Sequence, residues 1–179
     1  MNEKQAIELL KKYAPTEKDF KEVFAHAKLV QRFALRIAED IVCNSQHVDI
    51  KFIITASLLH DIGRFKTGIE GKDVIKHGII GAEILRKEGL DEKYALVCER
   101  HLGSGIDEED IKEQNLDLPL KNYNPKTIEE KIICYADSLI YNNKEITIEK
   151  VIERYSKFSQ RSVEKTKKLH EEIEKLRGK

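Results

Sequence analysis

Apolar residues recur at three- and four-residue spacing through most of the chain, the pattern of amphipathic helices, and strand-like alternation is scarce. Ala6, Leu9 and Leu10 mark a short first helix that stops before Pro15. Thr16, with Asp19 three residues on, reads as the cap of a long helix through Phe24, Leu29, Phe33, Ile37 and Ile41. Val48 to Ile62 is the most apolar stretch, with Phe52-Ile53-Ile54 and Leu58-Leu59, and is predicted to be the central helix around which the others wrap. A turn-rich region containing Gly63, Gly68 and Gly71 leads to a helix from about Lys76 to Lys87, closed by Gly89. Asp91 opens the next helix, which ends at His101 before Gly103-Ser104-Gly105. Asp107 to Glu113 forms a short polar helix, and Asn115 to Lys126, with Pro119 and Pro125, an irregular surface loop. Thr127 starts a helix with Ile128, Ile132, Ile133, Ala136, Leu139 and Ile140 on one face. Two more follow from Thr147 and Ser159. The last is dense in alternating Lys and Glu and is expected to be a solvated helix, with Lys165, Lys167 and Lys168 as surface charge. Nothing marks a domain boundary. The expectation is one all-α domain over residues 1–179, with its core at about 20–141 and C-terminal helices at 147–179.

Composition narrows the function without naming it. The chain is 40% hydrophobic and 36% charged, in the range of ordinary globular proteins. With 179 residues it can bury roughly 70% of the surface exposed by its unfolded form, so neither disulfides nor a structural metal is needed to hold it together. The 32 basic and 32 acidic side chains cancel, which argues against a broad nucleic-acid footprint. No window approaches the ~18 uninterrupted apolar residues of a membrane span. Met1 to Leu10 carries acids rather than a basic leader, so a cytoplasmic location is expected. Cys43, Cys98 and Cys134 form no C-x-x-C pair and read as reduced core thiols.

Chemistry enters where polar residues interrupt apolar faces. His60-Asp61 ends the run Ile53-Ile54-Thr55-Ala56-Ser57-Leu58-Leu59, where a carboxylate is costly to desolvate unless it is paired or bound to a metal. Adjacent helix positions point about 100° apart, so these two side chains converge only on something lying between them, near a helix junction. Asp137 sits among Ile133, Ala136 and Ile140, and His26 among Phe24, Ala25, Leu29 and Val30. Each histidine alone reads as a core residue; together with the two aspartates they form a set suited to a transition metal.

These residues, in this order and setting, resemble the HD-domain superfamily of metal-dependent phosphohydrolases, whose signature is a His, then His-Asp, then a distant Asp on a helical bundle. The resemblance runs from about Phe20 to Tyr141. In detail it looks like small uncharacterised archaeal HD proteins that share the strings His60 to Arg64, Gly81 to Leu85 and Glu99 to Ile106. The resemblance implies that His26, His60, Asp61 and Asp137 hold one divalent ion. In members with further histidines between the two aspartates, those residues hold a second ion, which would place Asp61, His77 and His101 on it with Asp61 bridging. The alternative for His77 and His101 is a helix-end role or a phosphate contact beside a single metal. Iron, manganese, nickel, zinc and magnesium are not distinguished.

Arg64 follows Asp61 by three positions and is read as a catalytic and substrate-binding cation for phosphate oxygens, or else as an ion pair with an acid. HD-type deoxynucleotidases typically carry a glutamate there, so Arg64 departs from their pattern. The branches acting on cyclic dinucleotides or dinucleoside polyphosphates usually carry lysine. The Gly-Tyr-Pro string of the cyclic-dinucleotide branch is absent after His101. Gly103, Ser104 and Gly105 are candidate backbone contacts to phosphate or simply a helix cap, and Lys131 is a further candidate or an exposed lysine. Gly81, one turn from His77, makes room for a ligand or for a helix crossing. His47 and His170 are assigned no role. The expected function is hydrolysis of a phosphate ester or anhydride, in a nucleotide or dinucleotide, by metal-activated water. The competing expectation is a metal-containing module that senses nucleotides or binds a partner without turnover. Oligomeric state is left open.

Overall fold

A computed structural model describes residues 1–68 and 70–179. The elements are α1 (Glu3–Tyr13), α2 (Glu17–Cys43), α3 (Ile50–Leu59), α4 (Arg64–Thr67), a 3-10 turn (Lys72–Lys76), α5 (His77–Lys87), α6 (Glu92–Arg100), α7 (Glu108–Glu113), α8 (Ile128–Ser138), β1 (Ile140–Tyr141), β2 (Lys144–Glu145), α9 (Ile148–Tyr155) and α10 (Gln160–Leu176). The fold is an all-α single domain, with one two-stranded antiparallel hairpin among the described residues.

The helix starts are written in the side chains. Thr16 Oγ1 accepts from the Asp19 N–H, and the side chains of Asp49, Asp91, Thr127 and Ser159 cap their helices in the same way. Asn2 with Gln5, and Asp107 with Asp110, form reciprocal capping boxes. As expected, α3 is central: Phe52, Ile53 and Thr55 to Leu59 are all buried, with α2 and α8 packed on it.

Three sequence expectations give way. The Thr127 helix ends at Ser138, and Ile140 begins a strand paired with Glu145, because Asn142 and Asn143 adopt left-handed φ of 49° and 55° and close a tight hairpin. Leu139 and Ile140 are buried nonetheless, by the hairpin rather than by a helix face. The last helix is not freely solvated: Val163, Thr166, Leu169 and Ile173 are buried, and Lys165 pairs with Asp107 and Asp110, while Lys167 and Lys168 stay exposed. Cys98 and Cys134 are core thiols, but Cys43, in the last turn of α2, is exposed. The loop at 115–126 is irregular as expected, and a small second core of Leu102, Ile111, Leu118 and Tyr123 anchors it. No helix among the described residues is long and apolar enough to cross a membrane.

Candidate metal centre

Five segments deliver one ligand group each to the floor of a single cleft of about 450 Å³. His26 comes from the middle of α2, His60-Asp61 from the C-terminal end of α3, His77 from the first position of α5, His101 from the residue after α6, and Asp137 from the last turn of α8. The His60 and Asp61 side chains are 0% and 1% exposed, whereas those of His26 and Asp137, at 20% and 19%, face the opening.

Two glycines make this convergence possible. A Cβ on Gly63 would lie 2.0 Å from the His77 carbonyl oxygen and 2.6 Å from the Gly81 nitrogen, so only glycine lets the turn after Asp61 lie against the start of α5. A Cβ on Gly78 would lie 2.6 Å from the Cys98 carbonyl oxygen, so α5 and α6 also meet backbone to backbone. Gly81 likewise faces Gly63 and Cys98, settling its role as helix crossing. The result brings the Nε2 atoms of His77 and His101 to 2.9 Å from each other.

Asp61 divides the cluster. Its Oδ1 lies 3.1 Å from His77 Nε2 and 3.3 Å from His101 Nε2, while its Oδ2 lies 3.5 Å from His26 Nε2. On that second side Asp137 Oδ1 is 2.9 Å from His26 Nε2 and 3.5 Å from His60 Nε2. One carboxylate oxygen thus faces each of two ligand groups.

The rings are set for coordination. Nδ1 of His60, His77 and His101 lies 2.7, 2.5 and 2.8 Å from the carbonyl oxygens of Ser57, Val74 and Cys98, each three residues back. A carbonyl only accepts, so each Nδ1 carries a proton, and in the neutral form of each ring the Nε2 facing the cluster is a free ligand atom. With both rings neutral, His77 and His101 point two lone pairs at each other, an arrangement that a cation between them satisfies. His60 Nε2 and Asp61 Oδ1 are buried with no hydrogen-bond partner among the described residues. Such atoms are costly in a metal-free core and are satisfied by a divalent ion. The His/Asp clusters therefore fit metal.

The electrostatics agree. Burial opposes ionisation of Asp137, but His26, hydrogen-bonded to it at 2.9 Å, and the facing His60 outweigh it and hold the carboxyl far below the usual range. Asp61, also desolvated, is held well below its usual value by the facing His60, Arg64 and His77. Burial pushes His101 down to about 4, keeping it a neutral ligand at neutral pH. His60 moves up despite its burial, because Asp61 and Asp137 draw positive charge to the place an ion would fill.

The proposed substrate contacts separate. Arg64 lines the cleft and Gly103 forms part of its wall. Arg64 Nε sits 2.5 Å from Asp61 Oδ2, so the ion-pair alternative is realised with the shared aspartate itself. Ser104, Gly105 and Lys131 do not line the cleft. Ser104 Oγ is 2.7 Å from Thr166 Oγ1, and Lys131 donates to Glu172 at 2.5 Å. Gly105, with φ of 95°, lets the loop at Asn124 approach to a distance that a Cβ would obstruct. A helix-end turn and α10 thus claim polar groups that look free in the sequence. His170 bonds Tyr135 Oη at 2.7 Å, and His47 is exposed. Tyr141, Arg154 and Tyr155 also line the cleft, and no motif in the sequence marks them. Only the amphipathic register of α9 hints that one of its faces packs inward, and nothing local says against what.

This helical frame, with a His, His-Asp and Asp set on its floor that fits a metal, defines an HD domain. The chain belongs to that family: the HD domain model matches residues 23–142. It is 45% identical over 136 residues to the uncharacterized protein MJ0778 of Methanocaldococcus jannaschii, covering 75% of this chain and 76% of that one. It is 38% identical to a tRNA (cytidine(56)-2'-O)-methyltransferase of Picrophilus torridus, over 87% of this chain and 42% of the relative. A Thermoplasma volcanium protein of the same name is 34% identical over 99% of this chain and 48% of its own length. The chain thus spans less than half of these two methyltransferases. Among solved structures, the HD domain of the Listeria monocytogenes phosphodiesterase PgpH in complex with cyclic-di-AMP matches with a TM-score of 0.54 at 18% identity, over 97% of this chain and 96% of that one. That likeness supports the fold.

Proposed function

We propose that the chain is a phosphohydrolase in which two divalent ions, held by His26, His60, Asp61 and Asp137 and by Asp61, His77 and His101, act on a phosphate ester or anhydride of a nucleotide or dinucleotide. The observation that carries this reading is the position of Asp61, with Oδ2 towards one ligand group and Oδ1 towards the other. When bound, such an ion pair acidifies a water and polarises phosphoryl oxygens. The chain's own part is to keep three Nε2 atoms unprotonated, to bring Asp61 to both groups, and to bury the floor so that charge is felt strongly. Arg64 fixes Asp61 through Nε, and among the described residues its remaining guanidinium nitrogens have no acceptor, which leaves them for phosphoryl oxygens. The match to a phosphodiesterase HD domain accords with this chemistry.

The test is phosphate release from a panel of nucleotides and dinucleotides by protein stripped and reloaded with manganese, iron, nickel, zinc or magnesium, beside an Asp61→Ala variant. Turnover should require metal, and Asp61→Ala should lose metal and turnover together. Activity persisting in chelator, or in Asp61→Ala, would overturn the mechanism.

A second reading has one specific support: nearly the whole chain matches under half of a tRNA methyltransferase, as a unit joined to a further segment would. On that reading the domain binds a nucleotide or a partner protein without turnover. Ligand-induced melting shifts with no released phosphate across the same panel would favour it.

A further inference from the structure

We propose that Arg154, seated over Tyr141 at the cleft, is the subsite for a second, non-scissile phosphate group of the substrate; this rests on the nucleotide reading above. The substrate class is then a nucleotide carrying two phosphate groups, one placed at Asp61 and the other at Arg154. The Arg154 guanidinium carbon lies 3.9 Å from the Tyr141 ring centroid and 5.9 Å from that of Tyr155. Stacking on aromatic faces holds a guanidinium by its plane and leaves the N–H edge open for hydrogen bonds. The other cleft arginine, Arg64, has its Nε on Asp61. Among the described residues Arg154 forms no ion pair with a carboxylate, its contacts being the two tyrosine rings, although Glu22 shares the cleft wall. A half-buried cation beside ligand-accessible space, held by rings and unneutralised by the protein, is built to receive an anion.

The hairpin supplies the rest of the subsite. Asn142 and Asn143 line the same cleft from their left-handed turn, adding neutral amide donors beside the cation. Arg154 lies beyond the segment matched by the family model, whereas Tyr141 and Asn142 lie at that segment's end. A volume of about 450 Å³ falls within the ~300–1,000 Å³ of small-molecule sites and accommodates more than a bare phosphate.

The experiment is titration calorimetry of manganese-loaded protein with AMP, ADP and adenosine 3′,5′-bisphosphate, with probe integrity checked after each run. Wild type should bind at least one two-phosphate probe about tenfold more tightly than AMP, and Arg154→Ala should bring that ratio close to one. Which probe is preferred tells whether the two phosphates are adjacent or separated by the sugar. Arg154→Lys should restore the ratio only in part, since an ammonium lacks the fork. If Arg154→Ala fails to fold, Tyr141→Ala, which removes the ring platform from a half-exposed hairpin position, carries the same comparison. No preference in wild type, or an equal loss for AMP and both other probes in the variant, would overturn the proposal. Phosphate release measured on the same samples separates the two claims: preference without turnover keeps the subsite and rejects hydrolysis.

Discussion

The proton on the far side of each buried imidazole decides what the near side can do. His60, His77 and His101 each spend Nδ1 on a carbonyl three residues back, so their tautomer is set by backbone that no side-chain substitution removes. Replacing a ligand should therefore remove metal from its own group and leave the neighbouring rings in place. Elemental analysis of His101→Ala is expected to show one ion per chain where wild type shows two; an unchanged count would mean that His77 and His101 hold no ion. Of the six candidate ligands, His26, His60, Asp61 and Asp137 are legible in the sequence because a titratable group on an apolar face is a cost that burial alone does not explain. His77 and His101 stand at helix ends, where a polar residue is unremarkable, and only the family resemblance linked them to Asp61. Arg64 shows the limit of spacing. Three positions after Asp61 places it on that carboxylate as readily as on a phosphate, and the structure holds the first contact.

Segments meet at this centre because two of them lack side chains where they cross. Gly63 and Gly78 let the turn after α3, the start of α5 and the end of α6 touch through their backbones. A methyl group 2.0 Å from the His77 carbonyl oxygen must push α5 away. Gly63→Ala is thus expected to lower the melting temperature by about 5 °C or more and to cost the ion at His77 and His101 before the one at His26 and Asp137. Loss of both ions together, or of neither, would show that the turn does not control the second group. Helix positions were readable in the chain because caps and apolar spacing are local. The end of α8 was not, since Leu139 and Ile140 continue the helical face and the Asn142-Asn143 turn that diverts them carries no apolar signal. The hairpin matters, because it brings Tyr141 to the cleft beside Arg154.

The molecule as a whole closes by charge as well as by its core. Arg161 and Lys165 of α10 hold Asp107, the N-cap of α7, and Asp110 within it, far apart in sequence, and so fasten the C-terminal helix to α7. Burial resists the Asp107 charge, but bonds from Lys165 and the Asp110 N–H hold its carboxyl well below the usual range. A depressed folded pKa adds stability that is fully present above the unfolded value of about 4 and is lost as pH falls towards the folded one. Asp107→Asn should accordingly melt below wild type at pH 7, with the gap narrowing as pH falls below about 4; a gap constant with pH would assign the effect to packing. Chelation should leave the helical circular dichroism at 25 °C in place, because the α2, α3 and α8 core is apolar and continuous without an ion. Unfolding on chelation would make the metal structural.

The chain's own pattern determined the helices, their caps, the central place of α3 and the residues too costly to bury without a cation, since all of these follow from local spacing and from the price of desolvation. The partners of each polar group were settled by folding. Ser104 met Thr166, Lys131 met Glu172, Lys165 met Asp107 and Asp110, and Arg154 met a tyrosine ring instead of an acid. A side chain's periodicity tells how deeply it lies, whereas its counter-charge comes from whichever distant element packs beside it, and that depends on every crossing in the bundle at once.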